Sequence, residues 1–265
     1  GFVEAMEESF KISNSIDRYS IYGELKFSLD VCLDFLEENN IKATFFIVAW
    51  IGEKFPEIIK GISDNGHEIA SHALNHRRLD KLSNREIKNS LKKSKEILEN
   101  ISGQEVVGFR APDFSLPQNI EILDYMHEIG YKYDSSMVFT NLHDVYQGPV
   151  KESNIFYFDN GLVEFPISNI TFFKLFSLPL GGGGYLRLYP TALTRYFIKK
   201  SKSPIIYLHP YELAGKFPEK VSMNPYRKFR HTYNIKNVAF KTKKIIKDFE
   251  PVSVKKYLQV SKYID

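Results

Sequence analysis

Apolar residues recur at helical spacing over residues 24–39, with Leu25, Leu29, Leu33 and Leu36 along one side. This pattern predicts an amphipathic helix that Asn39-Asn40 ends. Residues 41–49 form an apolar, β-rich run without alternation, the pattern of a strand buried on both faces in a parallel sheet. A second helix carries Pro56 in its first turn, turns Ile58, Ile59 and Ile62 inward and closes at Asn65-Gly66. Directly after that glycine comes another short apolar run, predicted as a strand ending near His72. The clearest helix begins at Ser83. Ser83 and Glu86 form a capping box, Leu82 and Ile87 a hydrophobic staple, and Leu91, Ile97, Leu98 and Ile101 continue the stripe until Gly103 stops it. Residues 106–112 read as the next strand and turn. A helix follows with Pro117 near its start and Ile120, Leu123 and Ile129 apolar, leading through Gly130 into a strand over 131–136. Further on, residues 204–210 read as a buried strand. Strand and helix alternate, which implies a parallel sheet with helices outside and chemistry at the C-terminal ends of the strands. Residues 139–180 are expected to leave this regular unit as an excursion, with short strands near 155–158 and 163–167 and a structural Glu164-Phe165-Pro166.

Composition narrows the picture. With 265 residues, 43% of them hydrophobic, the chain can bury one sizeable core, and residues 1–265 are read as one domain. No run of eighteen apolar residues occurs, so no membrane span is expected. The start lacks the basic and apolar segments of a secretory signal, so a cytoplasmic location is expected. The single cysteine, Cys32, excludes an internal disulfide and reads as a small buried hydrophobe. The net charge of +4 is unevenly spread: residues 191–265 carry 17 Lys and Arg against 5 Asp and Glu. This basic C-terminal segment suits an anionic polymer or membrane face, and a solvated lysine-rich surface accounts for it as well. Aromatic residues accompany the charge over 226–233, yet no nucleic-acid signature appears and no nucleic-acid partner is expected.

The candidate chemistry lies at the ends of the predicted strands. His72 and His76 are four residues apart, a spacing at which two neutral imidazoles converge on one divalent metal across a helical turn. Zinc is the expected ion, with other divalent transition metals possible. No Glu follows His72 in a His-Glu-x-x-His pattern, which disfavours a zinc protease. Arg110 and Asp113 end the next strand, Asp134 the third, and His209 the strand over 204–210. The run Gly181-Gly182-Gly183-Gly184 lacks the Gly-Lys-Ser/Thr of a phosphate loop and no helix-start signal adjoins it, so a close backbone approach or a mobile loop is expected there.

The ordered set Ser71-His72-Ala73-Leu74-Asn75-His76, Arg110-Ala111-Pro112, Tyr133-Asp134-Ser135-Ser136 and Leu208-His209-Pro210 resembles motifs two to five of the polysaccharide deacetylases, carbohydrate esterase family 4 with the NodB-homology fold. Gly181–Arg187 and Phe229-Arg230-His231 resemble the branch associated with exopolysaccharide and peptidoglycan deacetylation. The resemblance implies an α/β fold, a distorted (β/α) barrel, and metal-assisted removal of N-acetyl groups from N-acetylhexosamine units of a bacterial polysaccharide or peptidoglycan. It further implies that His72 and His76 are metal ligands, and that His209 is the acid that protonates the departing amine. Arg110 would hold the catalytic base, Asp134 would raise and orient His209, the backbone N–H of Asp113 would help stabilise the oxyanion, and Leu208 would line the pocket for the acetyl methyl.

The family's first motif, an apolar strand ending in Asp-x-Asp or Asp-x-Glu that supplies the base and the third ligand, does not occur. Glu4, Glu7 and Glu8 read as a solvated segment rather than as substitutes. The expectation is therefore a barrel without its first strand, from a sequence trimmed at the front. The alternative is an inactive carbohydrate-binding pseudo-deacetylase.

Overall fold

A computed structural model describes residues 18–141, 149, 151, 153–173, 175–217 and 225–265. Glu4, Glu7 and Glu8 lie outside the described residues. The predicted first helix is α1, Arg18–Glu38, which starts earlier than its apolar stripe. Strand β1 is Thr44–Ile47, and Ala49, expected at its end, instead opens a short helix α2, Ala49–Lys54. Helix α3, Pro56–Asp64, has proline in its first turn and buries Ile58, Ile59 and Ile62. Gly66 then takes φ 74°, a conformation open to glycine, and turns the chain into β2, Glu68–Ser71, whose four residues are all buried.

Helix α4, Asn84–Ser102, forms as its sequence dictates. The Ser83 Oγ accepts from the Glu86 N–H, the Glu86 carboxylate accepts from the Ser83 N–H at 2.9 Å, and Gly103 closes the helix in the left-handed region. Ile87, Leu91 and Leu98 are 0–1% exposed, and each such side chain stabilises the fold by about 1.5–3 kcal/mol. Strand β3 is Gly108–Phe109. Helix α5, Ile120–Glu128, starts after Pro117: the Asn119 side chain caps it, so Ile120 projects outward at 69% exposure rather than inward. Strand β4 is Tyr133–Asp134.

β1, β2, β3 and β4 run parallel, in that order, and the sheet continues through β6, Val163–Glu164, to the antiparallel edge strand β5, Phe156–Tyr157. Residues expected in an excursion thus add two strands to the main sheet, and only the hairpin β7 (Asn169–Phe172) and β8 (Phe176–Pro179) forms a separate one. One row of the sheet pairs Ile47 with Ser71, Ser71 with Phe109, Phe109 with Asp134, and Asp134 with Glu164. His72 and Arg110 are the next residues along their chains, so the register alone brings them to the same rim.

The rest is mainly helical: α6 (Gly183–Leu188), α7 (Thr191–Lys200), α8 (Pro210–Leu213), α9 (Pro225–Thr232), α10 (Val238–Ile246) and α11 (Val254–Val260). α6 begins within the glycine run, against expectation. The strand predicted over 204–210 reduces to a single parallel bridge between Gly182 and Tyr207. The C-terminal helix is tied to the sheet by buried Glu68, which accepts from Tyr133 Oη at 2.6 Å and the Lys255 N–H at 2.9 Å. Cys32 is buried, and burial pushes its thiol up to about 12, in keeping with a small hydrophobe. Among the described residues no helix is long and apolar enough to cross a membrane.

Candidate active site

The rim formed by the strand ends opens into a cavity of about 1090 Å³, whose wall includes His72, His76, Arg110, Asp113, Leu208 and His209. The two imidazoles of the pair lie 5.0 Å apart between ring centroids and are inclined at 71°. They are joined by a bend instead of a helical turn, with Ala73 in the left-handed region at φ 66°. The His72 Nδ1 lies 2.6 Å from the Arg110 carbonyl oxygen. A carbonyl only accepts, so Nδ1 carries the hydrogen and Nε2 keeps its lone pair, the tautomer that a metal-binding imidazole requires. Burial, with Arg110 and His209 nearby, lowers the His72 pKa to about 3, and burial beside His72 holds His76 well below its ordinary value. Both rings are therefore neutral donors at neutral pH. The donor set fits a divalent metal as far as it extends; among the described residues no group of three or more His, Cys, Asp or Glu is placed to hold one.

Arg110 is 8% exposed and fixed from two sides. Its Nε donates to the Ser135 carbonyl at 2.9 Å and its Nη2 to Ser135 Oγ at 2.7 Å, while its guanidinium lies 4.2 Å from the Phe46 ring centroid. Burial lowers its pKa to about 10, which leaves it charged at neutral pH. Beyond it Asp113 and Phe114 take φ 49° and 55° in succession. With Ala73, buried next to His72 in the bend between the two histidines, they make three non-glycine residues in the left-handed region, each strained by about 1–3 kcal/mol; such strain concentrates at functional sites.

Asp134 is fully buried behind this wall rather than in it. Its carboxylate accepts from Ser136 Oγ at 2.6 Å and the Ser136 N–H at 3.1 Å. Glu164 pairs with it across the β4–β6 register, and burial and the Asp134 charge push the Glu164 pKa far up, so that of the two carboxyls Glu164 is the one that keeps a proton. The resemblance gave Asp134 the task of orienting His209, but the carboxylate on the His209 ring is Glu212, 2.9 Å from Nδ1. Glu212 also accepts from the His209 N–H at 2.9 Å and from buried Arg187. The enclosing protein, Arg187 and Arg110 lower the His209 pKa to about 4. The open face of the ring, 56% accessible, and the Glu212 carboxylate both act in the other direction. Glu212 was not singled out from the sequence, and Arg187 entered only as the last residue of the Gly181–Arg187 segment, with no role given to it. The available signal was the Glu three residues after His209, behind a proline that starts a helix.

Leu208 is half-buried, lining the cavity and packing against the cluster of Cys32, Leu36 and Leu213. The glycine run makes the close backbone approach expected of it: a Cβ on Gly182 would lie 2.0 Å from the Tyr207 ring, and one on Gly181 2.3 Å from the Ile205 carbonyl oxygen.

Residues 26–133 match the polysaccharide deacetylase family, and residues 135–259 match a domain of unknown function, DUF3473. A peptidoglycan-N-acetylglucosamine deacetylase of Bacillus cereus is 40% identical over 92 residues, covering 35% of this chain and 31% of that protein. The chain thus spans about a third of that relative's length. Among solved structures, a polysaccharide deacetylase described as putative from Mycobacterium smegmatis superposes with a TM-score of 0.57 at 20% identity, over 89% of this chain and 77% of that one. A carbohydrate esterase family 4 pseudoenzyme from Bacillus anthracis gives 0.50 at 15% identity, over 88% and 61%. Both structures share the fold, and within it residues 26–133 match the polysaccharide deacetylase family.

Proposed function

We propose that the chain is a metal-dependent deacetylase that removes N-acetyl groups from N-acetylhexosamine units of peptidoglycan or another bacterial polysaccharide. The supporting observation is the placement of His72, His76 and His209 on one cavity, with the His72 Nδ1–H committed to the Arg110 carbonyl and its other nitrogen left to coordinate. In this reading His72 and His76 hold the ion, zinc by donor type. When bound, a divalent ion polarises the acetamide carbonyl and lowers the pKa of water beside it.

The chain's own groups supply the rest. Arg110 keeps a positive charge at the cavity wall and, through its carbonyl, fixes the His72 tautomer. The left-handed turn at Asp113 presents backbone at the rim, where its N–H would face developing oxyanion charge. Leu208 gives an apolar wall for the acetyl methyl. His209 transfers a proton from Nε2 to the departing amine, without which an amide nitrogen leaves poorly.

The test is acetate release from N-acetylglucosamine oligomers and from peptidoglycan by the full-length protein. His209→Ala should release acetate at least about a hundredfold more slowly. Oligosaccharide binding without acetate release by the wild-type protein would identify a carbohydrate-binding protein instead.

A further inference from the structure

A histidine that relays a proton to a leaving amine must take it up and release it on the nitrogen facing the substrate, so that nitrogen needs its lone pair in the resting ring, and a ring left to itself exchanges tautomers and rotates. In this chain the group that prevents both is Glu212. It is fully buried in α8, three residues beyond His209, with Pro210 at the first position of that helix. Its Oε2 accepts from the His209 Nδ1–H and from the His209 backbone N–H, each at 2.9 Å, and its Oε1 accepts from Arg187 Nη1. Arg187, 3% exposed, is steadied in turn by donation from Nη2 to the Arg230 carbonyl at 2.7 Å. It arrives there because the glycine run lets α6 begin against the face of Tyr207, where any side chain on Gly182 would collide with the ring.

We propose that Arg187 and Glu212 are positioning residues for His209. Glu212 fixes the Nδ1–H tautomer and so aims Nε2 into the cavity. Arg187 keeps Glu212 an oriented acceptor. The acid step then balances within the clasp: Nε2 takes up the proton that the attacking water releases, gives it to the amine nitrogen as the C–N bond breaks, and the ring returns to the neutral Nδ1–H form that Glu212 already holds. The catalytic half of this inference rests on the deacetylase reading above; the tautomer half does not.

Glu212→Gln is the informative variant. Arg187 draws the amide oxygen toward itself, which turns the amide NH₂ toward His209 and reverses the tautomer to Nε2–H. In the full-length protein, nitrogen-15 spectra of labelled histidine, assigned with His209→Gln, should show this reversal. kcat should fall about a hundred- to ten-thousand-fold with KM within about twofold. Glu212→Asp, which keeps the charge for Arg187 but shortens the reach, should give mixed tautomers and an intermediate kcat, and serves if the glutamine variant does not fold. An unchanged His209 tautomer in either folded variant would overturn the proposal, as would a kcat loss matched by an equal loss of thermal stability with the tautomer intact. If the wild-type protein releases no acetate, the deacetylase reading fails, and the spectra alone still decide whether Glu212 sets the ring.

Discussion

Gly182 and Gly184 stand two residues apart in the same glycine run, and alanine should act on them in opposite directions. Gly182 has φ −157° and ψ 165°, extended values that any residue adopts, so backbone freedom is not what it supplies. It supplies space: an added Cβ would lie 2.0, 2.2 and 2.3 Å from Cε1, Cδ1 and Cζ of Tyr207, where ordinary contact begins at 3.4 Å. The ring would have to retreat by more than an ångström from a position edge-on to Phe114, 5.8 Å from the Arg110 guanidinium. Overpacking of this kind costs about 1–3 kcal/mol, which for a domain of this size lowers Tm by roughly 2–12 °C. Because Tyr207 adjoins Arg110, acetate release should also fall, by up to about a hundredfold. Gly184, inside α6, meets nothing closer than 3.6 Å. Gly184→Ala should therefore gain up to about 1 kcal/mol from helix propensity. Calorimetric melts of the two variants beside the wild type give the answer. Equal melting temperatures for Gly182→Ala and Gly184→Ala would refute the steric argument.

Ser83→Ala removes one side of the α4 capping box and should lower stability by about 1 kcal/mol, seen as a lower urea midpoint with unchanged slope. Glu164→Gln tests the buried carboxyl pair. The folded chain keeps a proton that the unfolded carboxyls release near pH 4, so the folded state binds more protons above that pH, and stability falls as pH rises from about 4 through the raised Glu164 value. Urea midpoints of Glu164→Gln between pH 5 and 9 should decline less with pH than those of the wild type; equal declines would contradict the proton kept by Glu164.

Local signals in the sequence suffice wherever a few neighbouring residues decide the outcome. Pro56 and Asn65-Gly66 bracket α3, and Ser83, Glu86 and Gly103 bracket α4, because capping is settled within four residues. β2, ending at the histidine pair, was visible as an apolar run after a glycine. What depends on distant partners was not legible. Asp134 and Glu164 are adjacent only through the β4–β6 register, 30 residues apart in the chain, and a strand-end aspartate gives no sign of which group it meets. The apolar run over 204–208 carries a strand pattern but pairs at one bridge, since Gly181 and Gly182 offer it only a short neighbouring stretch. Ala49 looked like strand because apolar composition does not mark where a buried strand gives way to a helix. Glu212 stands three residues from His209, within reach of a local reading, but the motif that carries the family resemblance points to Asp134 for that role.

In the proposed reading, His72 and His76 hold the ion on which N-deacetylation depends. The most direct measurement is acetate release from peptidoglycan by the full-length protein, stripped with a chelator and then reloaded with zinc, together with the bound zinc of His72→Ala and His76→Ala. Activity should vanish on stripping and return on reloading, and neither variant should retain zinc or activity. Undiminished acetate release from the stripped protein, or full zinc retention by His76→Ala, would contradict it.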